Sequence, residues 1–291
     1  MTRPLRIMCV GGHPADAFDS AGGTLAHHVQ RGDHVTVVAL TQGTRVHDVV
    51  ISDTLRFQDR MPDPADLRSL MDERAQVKED EVRRACGFLG IEDVRFFRYD
   101  DAAVTVRNDL IERMGELIRE VRPDIVVTHH PREMGGYGQH HATTGQLVLE
   151  GITAGGSVGT ADPNPPHRVA QVFFTITNLL LPVSSLAGAV AWWPDLLVDI
   201  TDVVEAKLRA LDAMRSQQYG GNYAKKATEY ADGAMGALAG TAYAEGFITL
   251  WPEYDRHFTV SDTRLERTAE SEAAHRKRTD QLIVPFIELP E

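Results

Sequence analysis

The chain has 291 residues, 43% hydrophobic and 25% charged, which is globular composition rather than disorder or a fibre. Its 30 Lys+Arg against 42 Asp+Glu leave a formal charge of −12. That balance excludes a general nucleic-acid binder, whose affinity rests on neutralised phosphates, and an anionic membrane surface as partner. Two cysteines, Cys9 and Cys86, are too few for a disulfide framework, so a reducing, cytoplasmic compartment is the simplest expectation.

Met1-Thr2-Arg3-Pro4 runs directly into a strand, with no signal-peptide core before it. Residues 6–11 (RIMCVG) read as that first buried strand, 20–31 as a helix stopped by Gly32, and 34–40 as a β-branched strand closed by Thr41-Gln42-Gly43. A strand–helix–strand unit of this kind crosses over right-handed and pairs its strands in parallel. The expected class is therefore α/β: a Rossmann-like, mostly parallel sheet flanked by helices, with irregular C-terminal additions. Residues 45–72, with Pro62 and Pro64, show no clean period and read as an excursion over one sheet edge. Then come a helix at 72–89 stopped by Gly90, a strand at 94–97, a helix at 110–122, a strand at 124–128 and a helix at about 142–151. The Gly/Pro/Asp-rich stretch 154–166 is a loop, 169–175 a strand and 203–217 a helix. Small residues dominate 220–240, which predicts a segment that is mobile or packed on a neighbour. A single domain covers 1–291, its core at about 4–215 and an extension at about 216–291.

The longest uncharged stretch, 169–194, is interrupted by Gln171, Asn178, Pro182, Ser184 and Gly188 and is too broken to span a bilayer. Trp192 and Trp193 are expected in the core or a subunit contact, and the apolar run 179–193 makes a homo-oligomer plausible.

In open α/β sheets ligands gather at the carboxyl ends of the parallel strands. Two polar clusters lie at such ends. One is His13-Pro14-Ala15-Asp16 after the first strand. The other is His129-His130, followed by His140-His141 at the start of the next helix, so four of the twelve histidines fall within thirteen residues. A His and an Asp three apart, with a distant His, suit a divalent metal such as zinc and leave a position open for water. A metal there would acidify water and polarise a carbonyl, which points to amide hydrolysis of a small-molecule substrate. Rival sites fit worse. The Gly11-Gly12 turn lacks the third glycine of a dinucleotide fingerprint and has Asp16 near the phosphate position. The G-x-S-x-G at Gly155 to Gly159 falls in the 154–166 loop rather than at a strand-to-helix elbow, and both cysteines sit on apolar elements. Arg45, Asp101 and His130 follow strands and are candidate substrate contacts.

The residues also resemble a family. The opening strand with GGHPADAFDSAGGTLAHH and the later TQG is similar to the start of the PIG-L/LmbE-like deacetylases, zinc enzymes that remove acyl groups from amino sugars. Further matches follow in order: Glu81 to Ala85 with Leu89-Gly90, Tyr99-Asp100-Asp101, Arg122-Pro123-Asp124 with Val126 to His129, Val198 to Thr201 with Lys207 and Ser216-Gln217, and Ala244 to Phe247. The resemblance implies His13 and Asp16 as metal ligands. His140, in Gln139-His140-His141-Ala142-Thr143, best matches the third, with His141 as the alternative. It also implies Tyr137 near the substrate carbonyl, where a hydroxyl can stabilise an oxyanion. The family's usual base is the first Asp of His-Pro-Asp-Asp, and Ala15 stands there; Gln139 replaces another acid. Asp19, otherwise a helix N-cap, and His141 are the candidates to supply the missing proton transfer, worth about 10²–10⁴-fold. A non-hydrolytic relative that uses the metal pocket to bind a ligand is the competing expectation, and the same shell acting on an ester or other carbonyl is a third.

Overall fold

The computed structural model describes residues 3–56, 58–133, 138–176 and 193–280. In chain order the strands are β1 (Arg6–Gly11), β2 (His34–Thr41), β3 (Asp93–Tyr99), β4 (Ile125–His129), β5 (Gln171–Thr175), β6 (Leu196–Asp199) and β7 (Ala244–Thr249). The helices are α1 (Asp16–Gln30), α2 (Val49–Arg56), α3 (Pro64–Phe88), α4 (Asn108–Val121), α5 (Gly138–Gly155), α6 (Val204–Asp212), α7 (Asn222–Ala239), α8 (Asp262–Thr268) and α9 (Glu272–Thr279), with a 3₁₀ turn at Arg215–Gln217.

The strands form one sheet in the order β3-β2-β1-β4-β5-β7-β6. The first five pair in parallel, while β7 runs antiparallel to both β5 and β6. Because side chains alternate across a strand, β1 feeds two cores. Ile7 and Cys9 join one core with α1, α3 and α6; Met8 and Val10 join the other with α4 and α5. Chain order reverses direction between β1 and β4, which makes their carboxyl ends the crevice of the sheet.

Four expectations change. The prolines of the 45–72 excursion are not only breakers: Pro64 is the first residue of α3, and the Asp63 side chain accepts from the Ala65 N–H as its N-cap. The small-residue run 220–240 forms α7, whose glycines permit close packing; a Cβ on Gly236 would lie 2.2 Å from the Ala242 carbonyl oxygen. The segment expected as an extension beyond residue 215 also supplies β7, an interior strand. Trp193 is 67% exposed rather than buried, and Trp192 lies outside the described residues.

Behind α1 lies a buried ion cluster. Lys207 of α6, with no exposed surface, reaches Asp232 of α7 at 2.7 Å and Glu245 of β7 at 2.8 Å. Glu245 in turn accepts the N–H groups of Gly23 and Thr24 at 2.9 and 2.8 Å. Removing one member would strand buried charge, a loss of about 3–5 kcal/mol in comparable pairs. The cluster thus fixes α1 against three C-terminal elements. Cys9 and Cys86 are buried free thiols; burial pushes the Cys86 thiol up to about 12 and the Cys9 thiol higher still, so neither is a ready nucleophile. No helix among the described residues is long and apolar enough to cross a membrane.

Candidate metal centre

The site is built at the β1/β4 crevice. The loop after β1 turns sharply at Gly12 and His13, with the Thr41 N–H and hydroxyl both donating to the Gly12 carbonyl at 3.0 and 2.7 Å. Asp16 opens α1, and its Oδ2 accepts the His13 backbone N–H at 2.7 Å. A carboxylate in the first turn of a helix faces the positive end of the helix dipole, which favours its charge. Three imidazoles surround the same oxygen: His129 Nε2 at 2.8 Å, His13 Nδ1 at 3.3 Å and His141 Nε2 at 3.7 Å.

Ligating atoms of His13, Asp16 and His141 all lie within 4.8 Å of one another, and all three residues line a buried centre. Among the described residues it is His141, not His140, that completes this group. Both occupy the first turn of α5, where consecutive residues point about 100° apart, and the rings of His140 and His141 lie 5.7 and 5.3 Å from that of His13. His140 stands beside the centre, its ring 5.7 Å from that of His13, and its buried Nδ1 makes no hydrogen bond among the described residues.

The second ring of partners explains the orientation. A carboxylate can only accept, so His141 Nδ1 donates to Glu133 Oε1 at 2.8 Å and leaves Nε2 turned to Asp16. His129 Nε2 likewise donates to Asp16, and its ring stacks on His141 at 4.0 Å with planes 4° apart. Burial opposes charge on His141, but Asp16 and Glu133 outweigh it and push its pKa up to about 9. Burial and the His141 cation hold the stacked His129 below its ordinary value. Asp16, although buried, is held well below the usual carboxylate range by His13, His141 and His129. A divalent ion bound beside Asp16 would take the place of the proton on His141.

The remaining candidates fall into distinct places. Asp19 lies in the first turn of α1, not at its N-cap, which is Ala15; burial raises its pKa, and Asp16 adds to the rise. Asp101 is fully buried, and its two oxygens accept the Arg45 and Val46 N–H groups at 3.0 and 2.8 Å. It is a clamp on the loop after β2 rather than a substrate contact. Arg45 points outward and pairs with Asp100 at 2.6 Å, both about half exposed. His130 turns to the opposite side of the sheet, edge-on to Phe174 at 5.1 Å. Tyr137 lies outside the described residues.

Two participants escape the motifs. Glu133 is four residues past His129, an offset that could have flagged it. His47 follows β2, whose carboxyl end adjoins that of β1; its ring packs edge-on against His13 at 4.2 Å. Burial, then His13, lowers the His47 pKa to about 4, so it is neutral at ordinary pH. Its carbonyl is held by the buried Lys78 ammonium at 3.1 Å.

Comparison with known proteins places the chain in a family. A family model described as PIG-L, GlcNAc-PI de-N-acetylase, matches residues 8–152, which contain His13, Asp16, Glu133 and His141. The chain belongs to the PIG-L family. A PIG-L relative from Catenulispora acidiphila, 1D-myo-inositol 2-acetamido-2-deoxy-alpha-D-glucopyranoside deacetylase 2, is 26% identical over 258 residues, covering 74% of this chain and 81% of its own. Among solved structures, the N,N'-diacetylchitobiose deacetylase from Pyrococcus horikoshii superposes with a TM-score of 0.65 at 20% identity, covering 84% of each chain. GalB, the 4-carboxy-2-hydroxymuconate hydratase from Pseudomonas putida KT2440, superposes with a TM-score of 0.69 at 22% identity, covering 88% of this chain and all of that one. At these identities the two structures establish the shared fold.

Proposed function

We propose that the protein is a divalent-metal-dependent N-deacetylase, with zinc the expected ion, acting on a small N-acetylated amino sugar or its conjugate. The observation that carries the reading is the convergence of His13, Asp16 and His141 at the β1/β4 crevice. Family membership supports the reaction, and the named activity of the Catenulispora relative supports an acetamido sugar as substrate. The donor set, two imidazoles and a carboxylate, fits zinc and keeps a coordination position open. Bound there, the ion would lower the pKa of water and polarise the amide carbonyl.

The chain's own residues do the rest. The His13 N–H and His129 hold the Asp16 carboxylate in place, and Glu133 holds His141 in the tautomer that offers Nε2. With Ala15 buried and unable to move a proton, we assign that step to His140, whose ring lies 5.7 Å from that of His13. Its free Nδ1 can accept a proton from water and return it to the leaving amine. Asp19 is the second acid in reach of the centre's charges. Tyr137 remains the expected hydroxyl at the oxyanion.

Ala15 also favours one competing reading, in which the shell has lost amide hydrolysis and binds or transforms another ligand. A hydratase shares the fold, and a fold hosts more than one chemistry. Release of primary amine from N-acetylglucosamine and from N-acetylglucosaminyl-inositol by the zinc-loaded protein separates the two. The deacetylase reading expects turnover that falls about 10²–10⁴-fold in His140→Ala while bound zinc is unchanged. Full zinc with no amine from either sugar would overturn it.

A further inference from the structure

The loop after β2 is fastened by buried charged residues at each of four successive positions. Asp101 accepts the N–H groups of Arg45 and Val46, and Lys78 Nζ donates to the His47 carbonyl at 3.1 Å. The Asp48 carboxylate lies 3.4 Å from Lys78 Nζ and 3.1 Å from Arg74 Nε, and accepts the Ile51 N–H at 3.0 Å. Asp48, Lys78 and Asp101 are each no more than 1% exposed. Lys78 is held from its far side too. It donates to Ser216 Oγ at 3.0 Å, and Glu81 accepts the Ser216 N–H and hydroxyl at 2.9 and 2.6 Å.

Buried charges are tolerated only where their partners hold a close geometry. Three of them on one short loop leave its backbone a single place, and the side chain set at its middle is His47. That ring meets the His13 ring at 4.2 Å with planes 62° apart. It is nearer to His13 than either His141 at 5.3 Å or His140 at 5.7 Å. His47 is not one of the group whose ligating atoms converge within 4.8 Å, so it bears on the His13 ring rather than on an ion. A ligand imidazole has to keep its ring plane for its lone pair to aim at the metal. For His141 the hydrogen bond to Glu133 does this. For His13 the same task falls to an edge-on ring contact, which favours one relative orientation of the two planes.

We propose that His47 is a positioning residue of the metal centre: its ring, seated by Lys78, Asp48 and Asp101, fixes the plane in which His13 offers a nitrogen to the ion. The proposal rests on the metal reading above and extends the centre from the ends of β1 and β4 to the loop after β2. Because the loop is set before any ion arrives, little ordering is left to oppose binding.

The test uses the metal alone. Zinc affinity by chelator competition, the absorption spectrum of the cobalt(II)-loaded protein and the Tm of the metal-free protein are measured for wild type, His47→Ala, His47→Leu and His47→Phe. Loss of the ring contact should weaken zinc roughly three- to tenfold in His47→Ala and His47→Leu and shift the cobalt bands. His47→Phe, which keeps a ring but no nitrogen, should stay within about twofold of wild type with its bands restored. The leucine variant fills the space and carries the test if the alanine variant does not fold. Equal zinc affinity in wild type and the ring-less variants would overturn the role of His47 and leave the centre standing. His47→Phe as weak as His47→Ala, or losses that follow the metal-free Tm rather than the presence of a ring, would overturn it as well. No zinc bound by wild type would sink the metal reading itself.

Discussion

His141 has a partner at each ring nitrogen: Glu133 at Nδ1 and the Asp16 side of the centre at Nε2. A ligand histidine whose other nitrogen loses its carboxylate is free to rotate or change tautomer, which in comparable sites costs 10–100-fold in metal affinity. Glu133→Ala should therefore weaken zinc by about that factor in a chelator competition, and Glu133→Gln, which keeps an acceptor oxygen, should lose less. Wild-type affinity in Glu133→Ala would show that the contact does not orient the ring. That His13 and Asp16 come together is legible in the sequence, because they lie three positions apart on one short turn at a strand end. His140 against His141 is not legible. The choice depends on where α5 starts and on its rotation about β4, and neighbouring positions on a helix differ by about 100°. His47 was hidden for another reason: it comes to His13 across the sheet, from a loop clamped by Asp101 and Lys78 rather than from any local motif.

At the scale of elements, the centre depends on how closely α5 approaches the end of β4. Gly145 is the contact point. A Cβ there would lie 2.3 Å from the His129 carbonyl oxygen and 3.1 Å from the Pro131 nitrogen, both backbone atoms that cannot swing aside. Gly145→Ala should push α5 away, costing roughly 1–3 kcal/mol as overpacking does, and should weaken zinc binding because His141 moves relative to Asp16. Urea unfolding and zinc titration of the same variant check both effects; an unchanged protein would mean the helix has room to spare. Most elements can be read from periodicity alone, since β1, β2 and β4 are unbroken apolar runs and α4 has a clean stripe. The front of α3 cannot. Charged residues fill its exposed turns, and its start is signalled only by Asp63 and Pro64, which also suit a loop. Likewise α7 is built on small residues whose value lies in close packing, a tertiary property invisible in a window of sequence.

For the whole molecule, parallel pairing of β1 with β4 brings two distant motifs together, and the joint is pinned at its base by Asp124. Its carboxylate accepts from Arg3 at 2.7 and 2.8 Å and from the Arg6 N–H at 3.0 Å. These hydrogen bonds, the Arg3 one first, hold the Asp124 pKa at about 2, below its ordinary 3.8. A carboxyl depressed by folding adds stability that is present above pH 3.8 and is lost as pH falls through that value towards 2. Asp124→Asn should thus lower the neutral Tm and flatten the fall in Tm between pH 4 and 2, with a modest effect because Arg3 is mostly exposed. Parallel Tm–pH curves for the two proteins would remove Asp124 from the acid limb. The order of strands on which this joint depends follows from the βαβ rhythm as far as β5. The antiparallel return through β7 does not, because it is made by a strand about 70 residues further along.

The central claim is that His13, Asp16 and His141 form one metal centre with His140 beside it. Elemental analysis of protein offered zinc and then desalted tests it most directly, with wild type, His13→Ala, His141→Ala and His140→Ala run together. The account predicts about one zinc per chain in wild type and in His140→Ala, and its loss in His13→Ala and His141→Ala. Zinc retained by His141→Ala but lost from His140→Ala, or absent from wild type, would contradict it.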